Sequence, residues 1–503
     1  MMTHQREISK HISRIRDFSL YAEHADFLMP TLQAILASPV NVLQHLCITH
    51  DGWTDLALPE NTLQYYAPAL HSVDLRSVYI PWSSPILYNL THLRANLRDD
   101  LGGHAEELNR DEIESDKLPS CHLLSGLRGM PALQSLDLTF CLPSEGDGSV
   151  VDLPKLKSLM LKYEPARCTY FITCLRIPSS CSLTLVCDTY SEKELTHGVI
   201  PIFHTHVKRE QGPIQSLALK AYKSYFMFHI SRTANGAEKT EPSYTLQLSH
   251  PTYASGALAF PWPTVAALCR ELPIENVRHL DLRHQEGCDP DSHMEHAAHW
   301  SPGAWVNILG RCRVAHEVRF YGDRPATLAF CLALTLRARR EGAPFLENLC
   351  RLTLRGLRLT AADQGEGSEF LKAFLEQLAA RQKAKTIQTI CIKWKRAGEQ
   401  FIVELGKIVP EVKWNELKDT VGESDISDKD EEDEEDNEDW SDEEDEENEE
   451  DRSDEEDKED EEDKEDGEDG SDEEVKEDEE DKYDEEDGSD EDQDNEDGED
   501  ESY

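Results

Sequence analysis

The chain of 503 residues contains no run of about 18 apolar residues, which excludes a hydrophobic membrane-spanning helix. Basic residues are in the minority, 51 Lys+Arg against 102 Asp+Glu, so the polycationic balance of a nucleic-acid binder is missing. Thirteen cysteines are present, but none form a Cys-x-x-Cys pair. Cys168, Cys174, Cys181 and Cys187 are spaced at six, seven and six, which fits neither a zinc ribbon nor a redox motif. Cys141, Cys187, Cys350 and Cys391 sit in or beside apolar runs, where a thiol behaves as a small hydrophobe, and a reduced, intracellular protein is expected. The opening Met1-Met-Thr-His-Gln-Arg-Glu is polar and no apolar stretch follows it, so no secretory signal is expected. Phosphate loop, Gly-x-Ser-x-Gly elbow and His-Glu-x-x-His pair are all lacking. No catalytic residue, cofactor or metal ligand is assigned, and a non-enzymatic protein is expected.

The charge is divided very unevenly. Residues 423–503 hold 55 acidic and 6 basic side chains, leaving residues 1–422 with a net charge of −2. The chain therefore reads as a near-neutral body, 1–422, followed by a polyanionic tail, 423–503.

Along the body the phrase apolar-x-x-apolar-x-apolar recurs. It is found at Leu43/Leu46/Ile48, Leu70/Val73/Leu75, Leu133/Leu136/Leu138 and Leu156/Leu159/Leu161. It returns at Ile214/Leu217/Leu219, Val277/Leu280/Leu282, Leu349/Leu352/Leu354 and Ile387/Ile390/Ile392, with weaker copies at Leu90/Leu93, Leu183/Leu185, Leu246/Leu248 and Val318/Phe320. The period-2 ending suits a short strand with one buried face. Helical spacing lies between the phrases: Phe27–Leu36, Ala326–Arg337, and Phe370 to Leu378 behind Ser368. Ser301-Pro302 supplies a cap and a first-turn proline, and Thr264 behind Pro263 is expected to cap Val265–Leu272. Strand, loop and helix repeating every 20–40 residues or so predict an α/β fold. The expected form is an irregular leucine-rich-repeat-like solenoid, a curved parallel sheet with outer helices. The alternative is a doubly wound sheet of unrelated βα units. Residues 98–117 are polar and without period, and are expected to form a mobile insertion.

His11–Leu20, Val78–Thr91 and Leu153–Leu161 resemble the irregular leucine-rich region of fungal F-box-type proteins, a likeness extending over roughly residues 5–420. The resemblance implies a solenoid that recognises a protein substrate for a ubiquitin ligase. In that family an N-terminal F-box docks the Skp1 adaptor. Here no Leu-Pro-x-Glu segment followed by a Cys-x-x-Trp helix precedes the first repeat, so direct binding of Skp1 is not expected.

Two clusters stand apart from the repeat. His284, Cys288, Asp291, His293, His296 and His299 match no zinc spacing and read as a solvated loop-to-helix segment. Arg381, Lys383, Lys385, Lys393, Lys395 and Arg396 read as a helix end plus a strand with a solvated face.

The tail has almost no aliphatic residues, only Ile426 and Val475, and cannot offset its ordering entropy, so disorder is expected. Ser-Asp-Glu-Glu/Asp begins at Ser441, Ser453, Ser471 and Ser489. With Ser427 these serines resemble sites of casein kinase 2 and are candidate phosphosites. A leucine-rich body with such a tail also resembles the acidic leucine-rich nuclear phosphoproteins that handle histones. That resemblance implies basic protein partners for the tail.

Overall fold

The computed structural model describes residues 11–36, 40–52, 56–58, 67–97, 122–143, 148–188, 192–210, 212–222, 225–233, 242–249, 262–284, 301–336, 343–358, 368–395 and 399–414. The chain divides into two units, Met1–Glu423 and Ser424–Tyr503. The second unit, the insertion at 98–117 and His293, His296 and His299 lie outside the described residues.

The phrases at Leu43, Leu70, Leu133, Leu156, Val277 and Leu349 fold the same way: the first apolar residue closes a tight turn on the residue three before it, whereas the Ile387 amide donates to Gln382 Oε1 at 2.7 Å. The Leu43 amide donates to Val40 at 3.2 Å, Leu133 to Met130 at 3.1 Å, Val277 to Ile274 at 3.2 Å and Leu349 to Leu346 at 3.0 Å. Both residues of each pair are buried, so the turn is an apolar corner. The chain then enters a strand by a second recurring contact, in which two successive amides share one carbonyl of the preceding unit. Gln44 and His45 donate to Arg16 (2.7 and 3.0 Å), Gln134 and Ser135 to Thr91 (2.7 and 3.0 Å), and Gln388 and Thr389 to Cys350 (2.9 and 3.0 Å). Repetition of this contact holds successive strands in one register.

The strands are β1 (Asp17–Ala22), β2 (His45–His50), β3 (Leu56–Ala57), β4 (Ser72–Arg76), β5 (Val78–Tyr79) and β6 (His92–Asn96). Next come β7 (Ser135–Thr139), β8 (Val151–Asp152), β9 (Ser158–Tyr163), β10 (Leu175–Arg176), β11 (Ser182–Asp188), β12 (Ser216–Ala221), β13 (Tyr225–Ser231) and β14 (Ser243–Ser249). The last are β15 (His279–His284), β16 (Glu317–Tyr321), β17 (Arg351–Arg358), β18 (Thr389–Lys395) and β19 (Glu411–Trp414). Fifteen of them form one sheet in the order β1-β2-β4-β6-β7-β9-β11-β14-β13-β12-β15-β16-β17-β18-β19. The short pairs β3–β5 and β8–β10 stand apart from it.

Pairing in the large sheet is parallel except on the two flanks of β13. Only three residues separate β12 from β13, and the Tyr222 amide closes that turn on Tyr225 at 2.8 Å. So short a connection allows only an antiparallel neighbour. This reverses the spatial order of β12, β13 and β14, a departure from a purely parallel array. Phe226, Phe228 and Ile230 of β13 alternate and are buried.

Leu136, Leu138, Leu159, Leu161, Leu352, Leu354, Ile390 and Ile392 all face the core of this one sheet and are buried. Helices α1 (Ala25–Leu36), α2 (Leu123–Arg128), α3 (Pro165–Thr173), α4 (Ile200–Arg209) and α5 (Trp262–Glu271) lie between strands in sequence. So do α6 (Pro302–Leu309), α7 (Arg324–Ala333), α8 (Glu369–Ala384) and α9 (Glu399–Ile408). Ser301 accepts from the Ala304 amide at 3.2 Å and caps as the sequence predicts, and Ser368 likewise accepts from Leu371 at 3.3 Å. Thr264 does not: α5 already begins at Trp262, and Thr264 is buried inside it. Aromatic rings weld helices to the sheet. Phe330 of α7 stacks on Phe320 of β16 at 4.8 Å between centroids and meets Trp305 of α6 edge-on at 5.5 Å.

Candidate interaction surface

With Leu46/Ile48 and their counterparts turned to the core, the alternate positions of each strand stand on the opposite, open face. The common register lines these positions up in rows. One row runs Ser135, Ser158, Ser182, Ser243, Ser231, Ser216 across six adjacent strands. The Ser182 hydroxyl accepts from the Ser243 amide at 3.1 Å, which fixes the junction where the parallel and antiparallel parts meet. Four positions further along each strand, another row runs Lys220, Arg283, Tyr321, Arg355, Lys393 over β12, β15, β16, β17 and β18.

Many charges on this face are neutralised within their own neighbourhood. Arg76 pairs with Asp74 (3.2 Å), Arg94 with Asp137 (3.2 Å) and Lys162 with Asp188 (3.5 Å). Towards the C-terminal strands, Arg283 pairs with Asp281 (3.2 Å), Arg319 with Glu317 (3.2 Å) and Lys413 with Glu411 (3.3 Å). These pairs are solvent-accessible, and each is worth at most about 1 kcal/mol. Burial raises the Asp137 carboxyl above its ordinary range, and Arg94 opposes the shift. Lys220, Arg351, Arg355 and Lys393 form no ion pair with any described residue. The open-face positions of β12 and β15 to β19 thus carry seven basic side chains against three acidic ones. Residues 1–422 as a whole are close to neutral, so this patch carries a local excess of positive charge.

The interior holds polar clusters of a different kind. Glu210, just past α4, accepts from Arg232 Nε at 2.8 Å and from the Tyr244 hydroxyl. The second arm of Arg232 donates to the Val207 carbonyl at 2.8 Å. Burial and the Glu210 carboxylate push the Tyr244 hydroxyl well above its ordinary range. The closed set of contacts ties the end of α4 to β13 and β14. Burial likewise holds the Cys181, Cys269 and Cys331 thiols up at about 12, protonated and unreactive at neutral pH. Among the described residues no group of His, Cys, Asp and Glu is disposed to hold a metal ion. A shallow cleft of about 200 Å³, lined by Pro213, Gln215, Asn276, Arg278, Val314 and His316, lies where the chain enters β12, β15 and β16. Its titratable side chains are Arg278 and His316, the latter with Nδ1 3.2 Å from the Asn348 carbonyl.

The clusters picked out in the sequence separate in space. Of the histidine cluster, His284 is described, with Nδ1 3.8 Å from Asp323 Oδ2; Cys288, Asp291, His293, His296 and His299 lie outside the described residues. Ser427, Ser441, Ser453, Ser471 and Ser489 also lie outside them. The basic cluster is broken up. Arg381 is fully buried, donating to Leu346 O at 2.7 Å and Leu334 O at 3.3 Å, so it belongs to the core and not to a solvated face. Lys383 and Lys385 are exposed at the end of α8, whereas Lys393 stands in the open-face row.

That row had a signal in the sequence. The residue after the last apolar position of the phrase is basic at Arg76, Lys162, Lys220, Arg283, Arg355 and Lys393. Parallel register converts this one-residue habit into a line of charge. No protein-family model matches the chain, and no curated protein matches its sequence. No helix among the described residues is long and apolar enough to cross a membrane.

Proposed function

We propose that residues 1–422 form an irregular leucine-rich-repeat-like solenoid acting as a non-enzymatic protein-interaction module, with the partner held on the open face. The supporting observation is the recurrence of one unit, an apolar corner followed by a strand whose two leading amides share a carbonyl. Units repeated this way line up like positions across many strands, an arrangement suited to an extended protein partner. Recognition of a substrate for a ubiquitin ligase is the activity that the F-box-type resemblance supplies; direct docking of Skp1 forms no part of the proposal. A photo-reactive amino acid placed at Arg76, Ser135 or Arg319 tests the reading against one placed at Val403, which is 55% exposed on α9. Partner cross-links from the open-face positions only are expected. Cross-links from Val403 alone, or from none of the four, would overturn it.

A second reading rests on the tail, with its 55 acidic and 6 basic residues. A polyanion of this density attracts basic proteins, so histone binding is the alternative function. Affinity capture with the full chain separates the two: ligase components support the first reading, core histones the second.

A further inference from the structure

The row Lys220, Arg283, Tyr321, Arg355 and Lys393 differs from the rest of the open face. Its five residues occupy adjacent positions on β12, β15, β16, β17 and β18, with no acidic side chain among them. Arg283 alone of the four cations pairs with a described carboxylate, Asp281. Arg355 Nε is enclosed and meets no acceptor among the described residues. Its neighbour Gly356 has φ +78°, and a Cβ there would lie 2.6 Å from the Tyr321 ring. Absence of a side chain at 356 is what lets Tyr321 sit between Arg283 and Arg355 in the row.

We infer that this row is a docking strip for an extended, acidic segment of a protein partner. The inference rests on the interaction reading above and specifies the partner's charge. Strands about 4.8 Å apart make the row roughly 19 Å long, matched by about six residues of extended chain at about 3.4 Å each. Alternate side chains of such a segment point the same way, so about three carboxylates face the four cations, with Tyr321 in contact with the backbone between them. A nucleic-acid strand fits less well. Asp281 stands in the adjacent row and Glu317 and Glu411 in the row beyond it, and a strand charged at every unit sets phosphates against them. A polypeptide places its acids only where they meet the row.

The test uses the full chain and a fluorescein-labelled peptide of alternating Glu and Thr, about twelve residues long so that it overhangs the strip. Fluorescence anisotropy is followed at roughly 0.05 M and 0.5 M salt, across the range where screening of exposed charges becomes strong. The wild-type chain is expected to bind the peptide, and more weakly at high salt. The pair Lys220→Glu/Lys393→Glu should lose about tenfold or more in affinity. The pair Arg76→Glu/Lys162→Glu, in the same register but on β4 and β9, beyond the five strands of the strip and each already paired with a carboxylate, should change it by no more than about threefold. If the first pair lowers the melting temperature, Lys220→Ser/Lys393→Ser supplies the comparison with less perturbation. Equal losses in both pairs, no loss in the first, no peptide binding by the wild-type chain, or tighter binding of a single-stranded oligonucleotide would each overturn the inference. A partner that cross-links to the open face yet binds the row variants normally sinks only the acidic strip. Absence of open-face cross-links sinks the interaction reading itself.

Discussion

The ring of Tyr321 covers Gly356 on the neighbouring strand, at the point where the β17–β18 register shifts after Arg355. A methyl group at 356 would meet the ring at 2.6 to 2.8 Å, and the backbone there has φ +78°. Two separate penalties therefore fall on one substitution. Gly356→Ala should destabilise the fold by about 1–3 kcal/mol in urea denaturation. In a Tyr321→Ala background the cost should shrink without vanishing, since the steric part is removed and the backbone part is kept. An undiminished cost would show that the ring contact contributes nothing.

Arg381 is a charged side chain wholly inside the core, with carbonyl acceptors at Leu346 and Leu334. Burial pulls its guanidinium down to about 10, which leaves it charged at neutral pH. Arg381→Met keeps much of the volume but strands both carbonyls, at an expected cost of about 1–3 kcal/mol. Arg381→Lys should also destabilise, because one ammonium lacks the planar fork that serves two acceptors. Calorimetric melting of the two variants checks this; wild-type stability in either would place Arg381 outside the load on the core.

Leu354 of β17 sits between Phe320 and Ile392 in the buried register. Leu354→Ala should cost about 2–5 kcal/mol by leaving a cavity that strands on both sides cannot close. Truncation of exposed Val403 should change stability by less than about 0.5 kcal/mol, the usual range for surface sites.

His206 and His229 give the fold an acid limit. Burial holds both below the ordinary 6.5, with the Cys181 carbonyl partly opposing the shift at His206. The His206 Nε2 lies 3.0 Å from that carbonyl and His229 Nδ1 lies 2.9 Å from Thr245 Oγ1. A base depressed in the folded state takes up its proton more readily unfolded. Its stabilising share is complete above pH 6.5 and is lost as pH falls through the folded value. The melting temperature should therefore be level above neutrality and decline below pH 6.5. Replacing His206 and His229 by Gln should flatten the decline, and an unchanged pH profile would assign it to other groups.

Deleting residues 423–503 removes a net charge of −49 and none of the recurring phrases. The melting temperature of the first unit should be nearly unchanged, while any binding of core histones or other basic proteins should disappear. That binding should weaken steeply with salt, because the Debye length falls to about 8 Å at 0.15 M. A large, salt-sensitive loss of stability on deletion would contradict this.

The strand phrases were legible because period-2 alternation is local, and every phrase named from the sequence lies on or leads into a strand of the large sheet. The cap at Ser301 was legible for the same reason. Thr264 failed as a cap because the helix starts two residues before it, at Trp262, which leaves the threonine buried inside the first turn. Strand β13 escaped notice since it lacks the leading turn residue of the phrase and is paired through a hairpin.

Residue order along the chain determined the division of charge between body and tail, the absence of long apolar runs and the set of core leucines. Those properties are sums or short-range patterns, independent of which segments meet. Tertiary structure decided what depends on meeting. It reversed the order of β12, β13 and β14, took Arg381 out of a basic cluster and buried it, and joined basic residues from distant phrases into one row. Chain proximity carries no information about such neighbours, because a strand's partners are chosen by the faces it must bury and the length of the connection it is given.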